Sequence, residues 1–140
     1  MSLLNEAARA ALTAGHLAHL VTVDPDGTPQ VTIIWVGLDG DEIVSGHLFA
    51  TKKVRNVQRG DSRVAISLET GGRNEMGLDN YLVVHGTARI QEGGAPELLQ
   101  RLAAVYLGAG VKFPPMDDPP PGYVLRTTPT RVVGVGPWQD

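Results

Sequence analysis

Four of the twelve Lys and Arg residues of this 140-residue chain lie between Lys52 and Arg59. They belong to the stretch Ser-Gly-His-Leu-Phe-Ala-Thr-Lys-Lys-Val-Arg-Asn-Val-Gln-Arg-Gly, residues 45–60. It reads as a strand end that opens a short helix. Thr51 suits the N-cap, where its hydroxyl can accept from amides two or three residues on. Lys52, Lys53, Arg55 and Asn56 then fill the first turn and a half. Basic side chains are misplaced there, because the helix start is already the positive end of the macrodipole. A bound anion removes the conflict: free amides, a hydroxyl and two or three cations can converge on one phosphate. The plainer alternative is a solvated basic surface helix. Lys53 and Arg55 are the stronger ligand candidates, since Lys52 projects roughly 100° away from its neighbour.

The rest of the chain decides what size of anion is at issue. Net charge is −3, so the broad phosphate neutralisation of non-specific nucleic-acid binding is excluded. The basic cluster is local and sized for one small ligand. There are no cysteines, which removes disulfides and thiolate metal sites and fits a cytoplasmic protein. No apolar run reaches membrane-spanning length, and the alanine-rich start, with Glu6 and Arg9, does not resemble a signal peptide. His16, His19, His47 and His85 lack zinc-site spacing, so no metal is expected.

The elements that must position the cluster can be read in order. Residues 5–14 form a helix, capped by Asn5 and ended by Gly15. Residues 17–23 are a strand, Asp24-Pro25-Asp26-Gly27 a turn, and residues 29–37 a second strand, together a hairpin. In that strand Val31, Ile33 and Trp35 face one way and Thr32, Ile34 and Val36 the other. Both faces are mostly apolar and both need cover. One fills a barrel; the other needs a helix, a cofactor or another subunit, and a monomer would leave Ile34 and Val36 exposed. Residues 38–41 turn into a third strand, 42–46.

After the basic helix, residues 63–69 are a strand with Val64, Ile66 and Leu68 buried. Residues 70–80, with three glycines, read as a loop. Residues 81–91 are a long strand in which Gly86 suggests a bulge or a close backbone approach. Residues 96–107 form an amphipathic helix with a Leu98, Leu99, Leu102, Val105 and Tyr106 stripe. Residues 113–122 hold five prolines and cannot be regular. Residues 123–126 and 131–136 close the chain as strands. Six or seven short antiparallel strands with two or three peripheral helices favour a small barrel, mainly β, in one domain spanning residues 1–140.

The ordered set Asp26-Gly27-Thr28-Pro29-Gln30-Val31-Thr32, Asp39-Gly40-Asp41, Thr51-Lys52-Lys53-Val54-Arg55-Asn56-Val57 and Arg63-Val64-Ala65-Ile66-Ser67 resembles the pyridoxamine 5′-phosphate oxidase-like split β-barrel proteins. It is most similar to their actinobacterial branch that uses the deazaflavin coenzyme F420. His85-Gly86-Thr87-Ala88-Arg89 and Arg131-Val132-Val133-Gly134 also fit, so nearly the whole chain is covered. The resemblance implies an FMN-binding type of split barrel and a homodimer with two sites at its interface. It implies a flavin-type cofactor whose phosphate meets Thr51, Lys52, Lys53, Arg55 and Asn56. It further implies that Thr32, Ile33 and Ile34 line the tricyclic ring, and His47 is counted with these contacts. Met76 and Trp138 are the candidate covers of the ring. No counterpart to the oxidase's pyridoxal-phosphate-binding residues is evident, which argues against that substrate.

A flavin or deazaflavin carries the hydride, so the site needs no protein nucleophile or acid–base pair, and no catalytic residue is named. The leading expectation is an F420-dependent oxidoreductase acting on a small planar or unsaturated substrate. The alternatives are an FMN enzyme of the same fold, and a non-catalytic F420, flavin or haem-type carrier. Trp35 is read as core or dimer interface, with ring stacking as a further role; His85 is read as a satisfied strand histidine.

Overall fold

The structure, a computed structural model, describes residues 2–140. Asn5 caps α1 (Glu6–Leu12) by accepting from Ala8 N at 2.9 Å, and the helix buries Ala8, Ala11 and Leu12. β1 (Ala18–Val23) and β2 (Pro29–Ile34) form the expected hairpin, with Gly27 at φ +87° in its turn. β3 (Gly37–Asp39) and β4 (Glu42–His47) form a second. Then come α2 (Lys52–Gln58), β5 (Arg63–Arg73), β6 (Asp79–Glu92), α3 (Ala95–Tyr106) and β7 (Tyr123–Val135). Among the described residues no helix is long and apolar enough to cross a membrane.

All seven strands join one antiparallel sheet in the order β2-β1-β5-β6-β7-β4-β3. The two edge strands, β2 and β3, are neighbours in sequence. Trp35 and Val36 therefore carry the chain from one edge to the other, and the sheet wraps into a split barrel. Its interior holds Leu20, Ile34, Ile66, Leu68, Leu82 and Leu125, with Leu12 of α1 and Val57 of α2 packed into the same cluster. α3 lies outside, where Leu99 and Leu102 are buried against the β4 side. Gly46 permits the approach: a Cβ there would sit 3.1 Å from the Leu99 side chain and 3.3 Å from the Ala95 carbonyl.

Several boundaries differ from the sequence reading, each for a local reason. The expected strand 29–37 breaks after Ile34, because the chain must cross the barrel there. Ile34 and Val36 are core residues, while Val31 and Ile33 are each 60% exposed, the reverse of the expected exposure. Residues 70–80 are not a loop. β5 and β6 run through them to a turn at residues 74–78, where Asn74 Oδ1 accepts from Met76 N and Leu78 N, both at 3.0 Å. Gly71 and Gly72, at φ +79° and +76°, form an irregularity in the strand pairing rather than its end. The two closing strands are one, β7, with a register shift opposite His85 and Gly86 that accommodates Pro129. In α3 the expected stripe is narrower: Val105 is half exposed, and Ala95 and Ala103 are buried instead.

Gly86 behaves as its position in the strand suggested. A Cβ would fall 2.5 Å from the Thr128 carbonyl oxygen and 2.8 Å from the Thr127 methyl. We expect Gly86→Ala to lower stability by about 1–3 kcal/mol, read as a shift of the urea midpoint at constant slope. An unchanged midpoint would mean that the β6–β7 pairing can open there without cost.

Candidate functional site

A cavity of about 240 Å³ opens where the end of β2, the end of β4, the first turn of α2 and α3 converge. Lys53 and His47 form its polar side. Leu17, Ile33, Trp35, Leu99 and Phe113 form the rest, almost wholly apolar and aromatic. Another cavity, about 220 Å³ between α3 and β7, offers less to a ligand. Its Arg126 is already committed to Asp39 at 2.8 Å, Glu42 at 3.2 Å and Gln91 at 2.8 Å.

The polar side is held by a buried carboxylate. Asp24, at the end of the β1 run and 7% exposed, accepts from Asn56 Nδ2 at 2.9 Å and from Gln30 Nε2 at 2.7 Å. Lys52 Nζ lies 3.2 Å from the oxygen that Gln30 also contacts. The Asn56 amide is the main reason that the Asp24 carboxyl stays below its ordinary pKa, helped by Gln30 and Lys52 against the opposing effect of desolvation. The chain thus supplies part of the negative charge that the crowded helix start demands. The helix start also lacks the expected cap bond, since the Thr51 side chain accepts from no amide.

Lys53 is different. Among the described residues it makes no ion pair, and burial lowers its pKa. A partly desolvated, unpaired ammonium facing a cavity is costly unless an anion arrives. Arg55 is likewise without a carboxylate partner among the described residues, but it is exposed on the far side of the turn. His47 lies beside Lys53, with Nε2 2.8 Å from Ser45 Oγ. Burial first, and the Lys53 charge second, lower its pKa to about 4, so the imidazole is neutral at ordinary pH.

The apolar side is a stack. Trp35 lies on Tyr106 with centroids 5.1 Å apart and planes 10° apart, and Phe113 leans on Trp35 at 4.9 Å and 48°. Tyr106 is fixed in turn: its Oη accepts from Val36 N at 3.0 Å and donates to the His16 carbonyl at 2.7 Å.

The residues singled out from sequence therefore separate. Ile33, Ile34, His47 and Lys53 share the cavity. Thr32 lies one residue before it, with a buried hydroxyl that has no hydrogen-bond partner among the described residues. Lys52 is engaged by Asp24. Asn56 is 1% exposed, and its amide is spent on Thr22 and Asp24, so it supports the site from within the core instead of meeting a ligand. Met76 stands 79% exposed at the β5–β6 turn, away from this cavity in one chain. Trp138 cannot cover a ring: it is 5% exposed in its own core, and its Nε1 donates to the Tyr81 carbonyl at 2.8 Å. The expected role as a cover for the ring gives way to a core position because the bend at Gly136 folds the tail back onto the barrel. Leu17, Leu99 and Phe113 were missed. The one available signal was Phe113, an aromatic at the head of a proline-rich segment.

A flavin-type cofactor suits this donor set. Among the described residues Lys53 has no anionic partner, and Ile33 and Ile34 present apolar surface in the same cavity. Lys53 would hold the phosphate-bearing side, and the β2 residues would flank the ring that undergoes two-electron chemistry.

His47 gives a pH signature. The unfolded chain takes up this proton near the ordinary 6.5, the folded chain only near 4. The stability contributed by neutral His47 is therefore complete above about pH 6.5 and is lost as pH falls toward 4, at up to about 1.4 kcal/mol per pH unit. Asp24, held low, contributes in the more acid range, where its carboxyl begins to protonate below its ordinary 3.8. Urea unfolding across the 6.5-to-4 window is expected to weaken in the wild type and to be nearly flat in His47→Gln. Parallel profiles would assign the titration to other groups.

Comparison with known proteins agrees with this geometry. The pyridoxamine 5′-phosphate oxidase family model matches residues 4–136. A solved structure named F420 reductase is 27% identical, covers 89% of this chain and 94% of its own, and superposes with a TM-score of 0.71. Rv2991 from Mycobacterium tuberculosis is 24% identical, with 94% and 84% coverage and a TM-score of 0.70. HupZ from Group A Streptococcus is 19% identical, with 94% coverage of both chains and a TM-score of 0.64; these last two carry the fold alone. No curated protein matches. A match over nearly the whole length, on a split barrel, places this chain in the pyridoxamine 5′-phosphate oxidase family.

Proposed function

We propose that the protein is an oxidoreductase that binds coenzyme F420 and exchanges a hydride with a small planar or unsaturated substrate. The observation that carries this reading is Lys53, partly desolvated and without an ion-pair partner among the described residues, in the lining of a largely apolar, aromatic cavity. The 27% identity to the structure named F420 reductase favours the deazaflavin over FMN. FMN is the second reading, supported by the family match itself. The cofactor supplies the hydride chemistry; the protein binds, orients and excludes water. Lys53 anchors the anionic side, with Arg55 and the α2 start contributing from the surface. Thr32, Ile33 and Ile34 line the ring. Neutral His47 keeps a second positive charge out of the cavity. Trp35, Leu99 and Phe113 dry the space in which a substrate would approach to about 3–3.5 Å.

The working unit is proposed to be a homodimer. The outer side of the sheet presents rows in register that are mostly small or apolar, with His19 and Ser67 among them. One runs Ile33, His19, Ser67, Val83 and Val133; the next runs Val31, Val21 and Ala65 before reaching His85 and Arg131. The cavity of one chain is also smaller than the ~300–1,000 Å³ typical of ligand sites, and its rim residue Ile33 is 60% exposed. A second copy on this face would both bury Val31 and Ile33 and complete the site. Met76, on its projecting turn, is a candidate contribution from that copy. The absence of cysteine supports a cytoplasmic setting.

Titration of the cofactor-free protein with F420 and FMN, followed by cofactor absorbance, tests the reading. Lys53→Ala is expected to weaken binding by about 1.5–3 kcal/mol with stability near wild type. Equal affinity would remove Lys53 from the site. If F420 is the cofactor, its reduced, bound form should react slowly with oxygen; rapid oxygen-dependent turnover with FMN, and no F420 binding, would establish the FMN reading instead. Sedimentation at micromolar concentration should give a dimer, and Val31→Asp a monomer. A monomeric wild type would leave this cavity without its second wall.

A further inference from the structure

We propose that Gln100 is a positioning residue for the substrate end of the site, acting through Phe113 on Trp35, and that this end takes a planar, uncharged acceptor. The proposal rests on the reading of the Lys53 cavity as the cofactor site. Gln100 sits on the exposed face of α3, where a glutamine ordinarily keeps its rotamer freedom. Here both ends of its amide are engaged by the same stretch of backbone. Nε2 donates to the Val111 carbonyl at 2.7 Å, and Oε1 accepts from Phe113 N at 2.9 Å. The clamp falls between two devices that cannot fix the chain by themselves. Before it, Gly108 and Gly110 take left-handed conformations; after it, residues 113–121 are rich in proline and lack regular structure.

What the clamp delivers is Phe113. The ring leans on Trp35, whose other neighbour is Tyr106, also on α3. One helix therefore supports Trp35 twice, directly by Tyr106 and indirectly by Gln100 through Phe113. The lining around it is Leu17, Ile33 and Leu99, without a charged group; the polar lining is Lys53 and His47. An aromatic and aliphatic slot without charge selects flat, neutral rings such as quinones and excludes anionic acceptors by desolvation.

The test uses the full chain with Gln100→Leu, which removes both hydrogen bonds at similar volume, Gln100→Glu, which keeps only the acceptor for Phe113 N–H, and Phe113→Ala. The first readout needs no cofactor: acrylamide quenching of tryptophan emission, with Trp35→Phe supplying the Trp138 background. Quenching of Trp35 is expected to rise about twofold in Gln100→Leu and Phe113→Ala, and less in Gln100→Glu, at an unchanged thermal midpoint. The second readout is menadione as acceptor. Its KM should rise about fivefold in Gln100→Leu, with kcat and cofactor Kd within about twofold of wild type. Unchanged Trp35 quenching would overturn the proposal, as would an equal loss of cofactor affinity, which would mark Gln100 as a general structural support. Should the wild type bind neither F420 nor FMN, the functional reading fails. The quenching and the equilibrium binding of menadione to the free protein then still decide whether Gln100 sets this wall.

Discussion

The Asp24 carboxylate is the interaction on which the polar half of the site depends. It is the one acidic group among the buried polar residues described, and it ties three elements together. Gln30 comes from β2, Asn56 and Lys52 from α2, and Asp24 itself from the end of β1. Three donors share this one carboxylate, so their positions are coupled. This fixes the rotation of α2. With Val54 and Val57 inward and Lys52 and Asn56 drawn to Asp24, Lys53 is left at the cavity. α2 has only seven residues and no side-chain cap, too little to hold its own orientation.

The apolar half depends on where the barrel is split. Trp35 and Val36 cross from one sheet edge to the other and cannot pair as a strand while doing so. The Val36 amide is satisfied instead by Tyr106, whose hydroxyl accepts from Val36 N. The same ring carries Trp35 on its face. α3 reaches this point because Gly46 lets it lie close on β4, and Gly122 allows the returning chain near: a Cβ there would meet the His47 carbonyl at 2.5 Å and the Ala95 side chain at 2.7 Å. The cavity is thus the space left at the crossing, walled by elements far apart in sequence.

The parts of this arrangement legible in sequence were those with a local cause. Asn5 marked the first cap, Asp24 to Gly27 the first turn, Gly86 the close approach, and the alternation of Val64, Ile66 and Leu68 a strand with one buried face. The conflict of lysines with a helix start was also legible, but not that Asp24, 28 positions before Lys52, answers part of it. Nothing local distinguishes Lys52, which is paired, from Lys53, which is not; only the placement of α2 does. Gly71 and Gly72 misled in the opposite direction, since glycine erases the alternating pattern whether it ends a strand or merely kinks it. That Trp138 would be covered was legible, but not by what: its place depends wholly on tertiary contact, here a tail turned by Gly136 toward the carbonyl of Tyr81.

The electrostatic consequence is a site with its charge concentrated at one end. Lys53 faces the cavity with its pKa lowered by burial, while the neighbouring His47, which could have added a second charge, is held neutral by burial and by Lys53 itself. A single cation in a poorly solvated wall binds an anion strongly and orients whatever is attached to it. Doubling the charge would raise the cost of leaving the wall bare. The remaining lining carries neither charge nor an acid–base pair, so it neither competes for the anion nor offers a proton. One cation to fix an anionic group and an aromatic slot to receive a flat ring make a division of labour suited to chemistry that a bound cofactor performs and that the chain needs only to aim.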